Sequence, residues 1–257
     1  MKQLPFEAAA VAHGVGLFET MLVVRGRALQ IDEHLVRMTA SCDALGFPRP
    51  APAAFRREID LACSAVSAEQ AALRCAWVAG GGADDASAWT LGATVGEVPR
   101  VTLARRELGR AITLDGSFVR ALPHHKTTSY AVCVVGLKRA IASDADEALF
   151  VSRDGLILEG TSTNVFAVRG DTLVTAPLTD GVLPGIVRGW VLSAASRAGL
   201  AVEERAPSAD ELRGGAFLTS SLTTLAEMRV LDGLPCARPG EPYERLRELW
   251  RREFDVA

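Results

Sequence analysis

The amino-acid sequence predicts an α+β protein in two parts, a mixed α/β N-terminal part and a β-rich C-terminal part. Its 257 residues are enough for two modest domains, each with a core of its own. A hydrophobic fraction of 49% beside 23% charged residues is typical of a packed globular protein and excludes a disordered one. Strand-like and helix-like patterns alternate in the first half, whereas short strands with tight turns dominate the second half.

The first half begins with a strand and a helix. Residues 16–24 alternate in hydrophobicity, which predicts a strand. The apolar residues within 31–45 recur at helical spacing behind Asp32, which is predicted to be the N-cap of that helix. The same reasoning predicts a helix over 55–66 and strands over 73–78 and 89–95. The glycines at 80–82 predict a turn between these two strands.

The second half opens after a segment of weak periodicity. Residues 107–123 contain Gly109, Gly116 and Pro123, so we expect the crossing between domains there. The predicted boundaries are a small N-terminal domain over 1–115, an interdomain loop over 116–122 and a large C-terminal domain over 123–257. The elements predicted for the large domain are a helix over 130–142, strands over 148–151, 156–158, 165–168 and 173–175, and helices over 185–198 and 243–254.

Charge, hydropathy and cysteine spacing exclude several functions. A formal charge of -3 leaves no basic excess for binding a nucleic-acid backbone. The apolar stretch over 130–137 is far shorter than the roughly 20 residues that a membrane-spanning helix needs. Residues 1–16 do not resemble a secretion signal, so we expect a cytoplasmic protein. The five cysteines show no CxxC spacing and are expected to pack in the core, and no metal site is predicted.

Lys126 is the residue that most directly suggests chemistry. It is one of only three lysines, whereas arginine supplies nearly every other cation. A Schiff base requires an amine that can lose its proton, which a guanidinium cannot do. Its place at the predicted domain boundary, directly before the hydroxyls of 127–129, favours a partly desolvated amine. On these residues alone, an ordinary surface lysine in an arginine-rich sequence stays open as the alternative.

A phosphate site is suggested at Pro184, Gly185 and Ile186, where a predicted helix begins. A helix N-terminus presents unpaired N–H groups and a partial positive charge, both of which favour an anion. This turn is weak evidence by itself, because most helix starts bind nothing.

The second half also carries a pattern with specific spacing. An acidic residue is followed by a small residue two positions on, Asn five positions on and an aromatic residue seven positions on. Then come apolar-x-Thr and apolar-x-Gly-apolar-x-basic. The positions that satisfy it, in order, are Glu159, Thr161, Asn164, Phe166, Leu173, Thr175, Leu183, Gly185, Ile186 and Arg188. Together with Lys126 and the segments 16–20 and 34–38, this pattern resembles the class IV aminotransferase family, the fold-type IV pyridoxal-phosphate enzymes. The resemblance implies a small α/β domain and a larger β-rich pseudo-barrel domain.

The resemblance implies pyridoxal 5′-phosphate (PLP) as the cofactor and gives three residues a role in its chemistry. Lys126 would form a Schiff base with the PLP aldehyde and carry the proton during catalysis. Glu159 would pair with the pyridine nitrogen and keep the ring protonated, so that the ring takes up the electrons of a carbanion. Arg37 would bind the phosphate, with a solvated helix cation as the alternative.

Further cofactor contacts follow from the same resemblance, at Tyr130, Leu183, Ile186, Val187, Ser220 and Ser221. The tyrosine would bond the phenolic oxygen, the leucine would pack on the ring, and the others would bind phosphate through backbone N–H groups or hydroxyls. For the two serines, a polar turn without a ligand is the alternative. Arg188 is expected to be structural, and His124 and His125 are expected to line or flank the pocket.

The resemblance implies two reactions on small amino acid and keto acid substrates. The first is transamination between an amino acid and a 2-keto acid, as in branched-chain or D-amino acid aminotransferases, and we expect this one. The alternative is a 4-amino-4-deoxychorismate lyase, which forms 4-aminobenzoate and pyruvate and would use Thr20 as an acid. The glycines 80–82 lack the basic residue of typical lyase loops, and no Arg-x-His pair typical of D-amino acid aminotransferases lies near Arg74.

A third hypothesis, from another functional class, is a PLP-binding module without turnover. The presence of both Lys126 and Glu159 disfavours it. The resemblance also implies a homodimer, whereas the substrate side chain and the stereochemical preference stay open.

Overall fold

A computed structural model describes residues 4–82 and 84–256 of the chain. Two residues used in the sequence analysis lie outside the described residues: Lys2, and Ala83 directly after the predicted glycine turn. The chain groups into two compact units, a first unit of Met1–Val98 with His124–Tyr130 and a second unit of Pro99–Pro123 with Ala131–Ala257. Both units combine helices with sheets, which confirms the predicted mixed fold class.

The first unit is built on an antiparallel sheet. Its strands are β1 (Gly16–Val24), β2 (Arg27–Ala28), β3 (Gln70–Ala79) and β4 (Trp89–Gly96), and its helices are α1 (Ala9–Ala12), α2 (Ile31–Leu45) and α3 (Pro52–Cys63). The strand order is β2-β1-β3-β4. Pairing with β3 runs the whole length of β1, so that Thr20 lies opposite Arg74. By contrast, β2 pairs only with Val23 and Val24 of β1, which leaves the start of that edge open to another segment.

One face of this sheet carries the apolar core of the first unit. Side chains alternate along a strand, so Leu17 and Met21 of β1 point to the same face. The helices α2 and α3 cover that face with Met38 and Phe55, and all four side chains are buried. Thr20 lies between them in the alternation and therefore points to the opposite face of the sheet.

The start of α2 differs from the predicted cap. Gln30 occupies the N-cap position with φ 55°, and Asp32 lies inside the first turn together with Glu33. The prediction that Asp32 caps the helix was therefore wrong. Apolar spacing indicates that a helix is present, but it does not determine which residue leaves the helical conformation. Both carboxylates still stabilise this end, because negative charge near a helix N-terminus interacts favourably with the helix dipole.

In the described part of the chain, the second unit has two five-stranded sheets. The strands are β5 (Arg110–Thr113), β6 (Glu147–Val151), β7 (Ile157–Gly160), β8 (Asn164–Arg169), β9 (Thr172–Thr175), β10 (Ala201–Glu204), β11 (Ala216–Ser220), β12 (Thr224–Met228), β13 (Val230–Leu231) and β14 (Leu234–Pro235). The helices are α4 (Arg100–Leu108), α5 (Ala131–Ala142), α6 (Ile186–Ala194), α7 (Ala209–Arg213) and α8 (Gly240–Phe254). One sheet has the order β10-β9-β8-β11-β12 and the other β14-β13-β5-β6-β7. Leu149, Val165 and Leu218 from these sheets belong to one buried apolar cluster.

The two units differ from the predicted domain boundaries in two segments. Residues 99–115, predicted to be in the small domain, contribute α4 and β5 to the second unit, where Ala111 pairs with Glu147 of β6. The segment His124–Tyr130, predicted to be in the large domain, belongs to the first unit, where Thr127 bridges to Leu17. Both contacts join residues far apart in sequence, so local periodicity does not reveal them.

The helices are short. The two longest, α2 and α8, have 15 residues each. Within residues 4–82 and 84–256, no helix has the length and apolar character needed to cross a membrane.

Candidate active site

Lys126 is held against the open edge of β1 in the first unit. The backbone N–H of Phe18 donates to the Lys126 carbonyl over 2.9 Å, and the N–H of Thr128 donates to the Gly16 carbonyl over 2.9 Å. These bonds form at the end of β1 that β2 does not cover. The partly buried Lys126 side chain places its Nζ 4.7 Å from the ring centroid of Phe18 and 5.5 Å from that of Tyr130. Two main-chain bonds thus fix the segment that carries the amine.

The hydroxyl cluster after Lys126 anchors the same segment. Thr128 Oγ1 donates to the Gly14 carbonyl over 2.6 Å, and Ser129 Oγ donates to that carbonyl over 3.2 Å. Gly14 has φ 68°, and a Cβ added there would lie 2.5 Å from Ser129 Oγ. Glycine is therefore required at this close approach. From the sequence, these hydroxyls were expected to surround the amine. In the structure they bind the backbone carbonyl of Gly14 instead.

Thr20 and Arg74 lie on the sheet face to which Phe18 also points. They are opposite each other in the register of β1 and β3, and Phe18 is two residues from Thr20 on the same strand. The Arg74 guanidinium carbon lies 3.8 Å from the Phe18 ring centroid. Arg74 is exposed, and no carboxylate in residues 4–82 and 84–256 forms an ion pair with it. Sequence analysis did not identify this cation as a site residue, because only the strand register brings it to Phe18.

Arg37 is buried beside two polar side chains of the first unit. Its Nε donates to Glu19 Oε1 over 2.9 Å, and its Nη2 donates to Glu19 Oε2. His34 Nδ1 lies 2.6 Å from the same Oε2. Burial raises the pKa of Glu19, but the charges and hydrogen bonds of Arg37 and His34 outweigh it and lower that pKa to about 2. Arg37 is thus a fixed, charge-paired cation and not a solvated one.

Glu159 is buried in β7 of the second unit and accepts hydrogen bonds on both carboxylate oxygens. Its Oε2 accepts from the backbone N–H of Leu183 over 3.0 Å and from Asn164 Nδ2 over 3.3 Å. Its Oε1 accepts from Arg120 Nη1, and the two charged groups form a buried ion pair. Sequence analysis missed Arg120. It lies 39 residues before Glu159, in a segment without periodicity, and no motif spacing connects the two.

A fully buried carboxylate supports the turn that follows Glu159. Glu147 accepts hydrogen bonds from the backbone N–H groups of residues 161–162 and from the hydroxyls of residues 161–163, over 2.5–3.3 Å. Arg105 Nη2 lies 3.4 Å from Glu147 Oε2 and balances its charge. These contacts tie the turn of residues 161–163 to β6, the strand that begins at Glu147.

The start of α6 offers hydrogen-bond donors to an anion within the second unit. No side chain among the described residues caps the helix at Gly185, and the N–H groups of Ile186 and Val187 lie in the first turn, where intrahelical acceptors are missing. A Cβ on Gly185 would lie 2.0 Å from Asn164 Oδ1, so only glycine fits there. At the end of β11, against which α6 packs, Thr219 Oγ1 is buried and has no hydrogen-bond partner in the described residues. This donor set suits a phosphate.

Two of the remaining predicted residues have clear structural contacts. Ser220 Oγ accepts from the backbone N–H of Thr223 over 3.0 Å and so closes the turn that also contains Ser221. Arg188 Nη2 donates to a backbone carbonyl over 3.0 Å and to the carboxylate of Glu204 over 2.6 Å, which fits its expected structural role.

The two histidines before Lys126 lie in the first unit. His125 Nδ1 is 3.1 Å from Ser41 Oγ, and the ring centroids of His124 and His125 are 6.4 Å apart. In the part of the chain that the structure describes, no three His, Cys, Asp or Glu side chains are grouped so as to hold a metal ion.

Comparisons with known proteins point to one enzyme family. The family model described as amino-transferase class IV matches residues 16–230. A bifunctional aminodeoxychorismate lyase / D-amino acid transaminase from Mycobacterium tuberculosis is 35% identical to this chain, over 91% of this chain and 87% of that protein. The PLP-bound form of a hypothetical aminotransferase from M. tuberculosis matches with a TM-score of 0.86 and 30% identity, over 99% of this chain and 94% of that chain. A form with alpha-ketoglutarate and PMP bound matches with a TM-score of 0.84 and 31% identity, over 96% and 93% of the two chains.

Proposed function

This chain belongs to the class IV aminotransferase family, and from this membership we propose that it is a PLP-dependent aminotransferase, transferring an amino group between an amino acid and a 2-keto acid. Its structural relatives confirm the predicted fold-type IV architecture. One observation carries the proposal. The Lys126 amine lies against the Phe18 ring, and Phe18 shares its sheet face with the hydroxyl of Thr20 and the guanidinium of Arg74. An amine, a hydroxyl and an anion-binding cation are the groups that amino-acid chemistry needs.

PLP is the cofactor of this family, and when bound it supplies an electron sink that stabilises negative charge on the alpha carbon of the substrate. The donors at the start of α6 fit its phosphate, as does the Thr219 hydroxyl, which has no hydrogen-bond partner among the residues that the structure describes. The buried carboxylate of Glu159 fits a protonated ring nitrogen, because a negative charge there favours the protonated form. The residues proposed to hold the cofactor are Arg37, Lys126, Tyr130, Glu159, Leu183, Ile186, Val187, Ser220 and Ser221.

Lys126 is the proposed base and acid of the reaction. Its Nζ takes the alpha proton from the bound amino acid and later delivers a proton, so that one amine serves both steps. Phe18 and Tyr130 pack edge to face with ring centroids 5.1 Å apart and limit the access of water to that amine. The main-chain bonds of the segment keep Nζ in a defined position during both transfers.

Arg74 is the proposed binding residue for a substrate carboxylate. Its guanidinium is exposed beside Phe18 and forms no ion pair with the described carboxylates, so it is available to an anionic substrate. Because a structural relative holds alpha-ketoglutarate, we propose alpha-ketoglutarate as an amino acceptor of this enzyme.

A second candidate function is 4-amino-4-deoxychorismate lyase activity. It is favoured by the bifunctional relative and by the position of Thr20, whose hydroxyl can act as an acid near the leaving group. The glycines 80–82 still supply no basic side chain to a substrate loop. Arg74, on the same face as Thr20, supplies a cation that the loop lacks.

Two further properties are proposals. The first is a homodimer, which light scattering coupled to size-exclusion chromatography tests. The second is a cytoplasmic location, which fractionation of the source cells tests.

The deciding experiment mixes the purified PLP-loaded protein with a panel of D- and L-amino acids and, separately, with aminodeoxychorismate. Transamination predicts that at least one donor converts the cofactor to its pyridoxamine form, followed by visible absorbance, with release of a keto acid. Absence of conversion across the panel contradicts transamination. The lyase predicts pyruvate and 4-aminobenzoate without an added keto acid, and a binding module without turnover gives neither result.

A further inference from the structure

Arg120 forms a buried ion pair with Glu159 inside the second unit. The side chains are 9% and 3% exposed, and Arg120 Nη1 donates to Glu159 Oε1. A buried carboxylate without a cationic partner favours its protonated form, because burial removes the water that stabilises the charge. A guanidinium does not release its proton in proteins. The ion pair therefore favours the ionised form of Glu159 at a site that excludes the water that would otherwise stabilise the charge.

The other Glu159 oxygen is held by different donors. Oε2 accepts from the Leu183 N–H over 3.0 Å and from Asn164 Nδ2 over 3.3 Å. With a donor on each oxygen, the plane of the carboxylate is determined from both sides. Asn164 Nδ2 also lies 3.0 Å from the Leu183 carbonyl, which fixes the amide in turn. Among these contacts, the one from Arg120 carries a formal positive charge.

We propose that Arg120 is a positioning residue for the cofactor's ring nitrogen, holding the Glu159 carboxylate ionised and oriented towards it. The inference rests on the proposed function, which assigns Glu159 to that nitrogen. A proton shared between a carboxylate and a pyridine nitrogen resides on the nitrogen when a neighbouring cation stabilises the carboxylate. Arg120 thus keeps the ring protonated and maintains its capacity to accept electrons.

A purely structural role for Arg120 makes a different prediction. Arg120 lies between β5 and the segment of Lys126, six residues before that lysine. If it only anchors this connection, its removal weakens the binding of every cofactor analogue by a similar factor. If Arg120 acts through Glu159, its removal weakens the binding of ligands that have the ring nitrogen and leaves the binding of other ligands unchanged.

The test compares PLP with 1-deaza-PLP, in which carbon replaces the ring nitrogen while the aldehyde and the phosphate remain. Dissociation constants are measured on the full-length apoprotein by equilibrium dialysis. We expect the wild type to prefer PLP by about 10- to 100-fold, the range of a charge-assisted hydrogen bond. Arg120→Met and Glu159→Gln should each lose most of this preference, whereas Arg120→Lys should keep a larger share of it.

Arg110→Met is the matched control. Arg110 is a partly exposed arginine of the same unit that pairs with Asp144 and Asp146. Its removal should leave the PLP preference unchanged. If Arg120→Met does not fold, Arg120→Gln takes its place, because it keeps a hydrogen-bond donor and removes the charge. A preference in Arg120→Met or Arg120→Gln equal to that of the wild type overturns the inference.

Failure of the inference differs from failure of the proposed function. If Glu159→Gln loses the preference and the Arg120 variants keep it, only the role of Arg120 is wrong. If the wild type itself binds both ligands equally, the assignment of Glu159 to the ring nitrogen is wrong, and the inference fails with it. Absence of any PLP binding would contradict the proposed function as a whole.

Discussion

The side chains of Lys126 and Phe18 meet in the first unit, with Nζ 4.7 Å from the ring centroid. The same two residues are joined through the backbone, because the Phe18 N–H donates to the Lys126 carbonyl. Arg74 places its guanidinium 3.8 Å from the same ring centroid. Phe18 therefore contacts both Lys126, the proposed acid and base, and Arg74, the proposed binding residue for the substrate carboxylate. Substitution of Lys126 and substitution of Arg74 should each have a different effect.

Replacing Lys126 with alanine should abolish the covalent attachment of PLP. The amine is the group that condenses with an aldehyde, so borohydride reduction followed by mass spectrometry should show no cofactor adduct. Turnover should fall by at least about 100-fold, because the acid–base group is lost as well. Lys138→Ala, at an exposed position in α5, is the control and should retain the adduct. An adduct on Lys126→Ala would refute the assignment.

Replacing Arg74 with glutamine should raise the KM for alpha-ketoglutarate by about tenfold or more. A charge-assisted hydrogen bond contributes roughly 1.5–3 kcal/mol, and the substitution removes the charge. With pyruvate as acceptor the KM should change less, because pyruvate lacks the second carboxylate. Arg27→Gln, an exposed arginine in β2, serves as control. Equal effects on both keto acids would mean that Arg74 does not distinguish the second carboxylate.

Replacing Thr20 with valine should separate the two candidate reactions. Valine has a similar shape but no hydroxyl, so elimination that needs an acid at this position should slow by about 100-fold, whereas transamination should stay within a few-fold. Pyruvate and 4-aminobenzoate are measured for the first reaction and keto-acid release for the second. Thr94→Val, on the strand beyond Arg74, is the control. If both reactions slow equally, Thr20 is not specific to elimination.

Replacing Arg37 with methionine should weaken PLP binding more than pyridoxal binding. Pyridoxal lacks the phosphate, so a phosphate-binding arginine affects only the first ligand, by about 10- to 100-fold. Fluorescence titration of the apoprotein measures both affinities. Arg56→Met, an exposed arginine of α3 that pairs with Asp32, is the control. A parallel loss for both ligands would assign Arg37 a structural role only.

The stability of the apoprotein should fall in acid in two steps that Glu19 and His34 determine. Burial lowers the pKa of His34 from 6.5, so its contribution is complete above about pH 6.5 and is lost as the pH falls below that value. The pKa of Glu19 is about 2 instead of 4.5, so its contribution is lost between these values as the pH falls. Urea midpoints measured from pH 7 to pH 2 record both steps.

Glu19→Gln should be less stable than the wild type at pH 7 and should lack the step below pH 4.5, since the amide does not titrate. Asp210→Asn, at a side chain that is 91% exposed, is the control and should retain that step. A Glu19→Gln variant with an unchanged acid profile below pH 4.5 would show that another carboxylate is responsible.

Much of the framework was accessible from the sequence. The strand β1 begins at Gly16 and ends at Val24 as predicted, and the ends of β3, β4, α5 and β8 differ from the predicted ones by at most three residues. These elements were accessible because alternation and helical spacing are local patterns that burial imposes on each segment. The left-handed Gln30 before α2 and the pairing of β5 with β6 were not accessible, because neither leaves a local apolar pattern.

By itself, the sequence determined the family, the cofactor class and the candidate residues that belong to a motif, such as Lys126 and Glu159, since motif spacing is preserved along the chain. Only the tertiary structure decided which side chains contact these candidate residues and their neighbours. Arg120 reaches Glu159 across 39 residues, and Arg74 reaches Phe18 through the register of two strands. The physical reason is that charge pairing and ring contact depend on distances in space, which chain folding sets and sequence spacing does not encode.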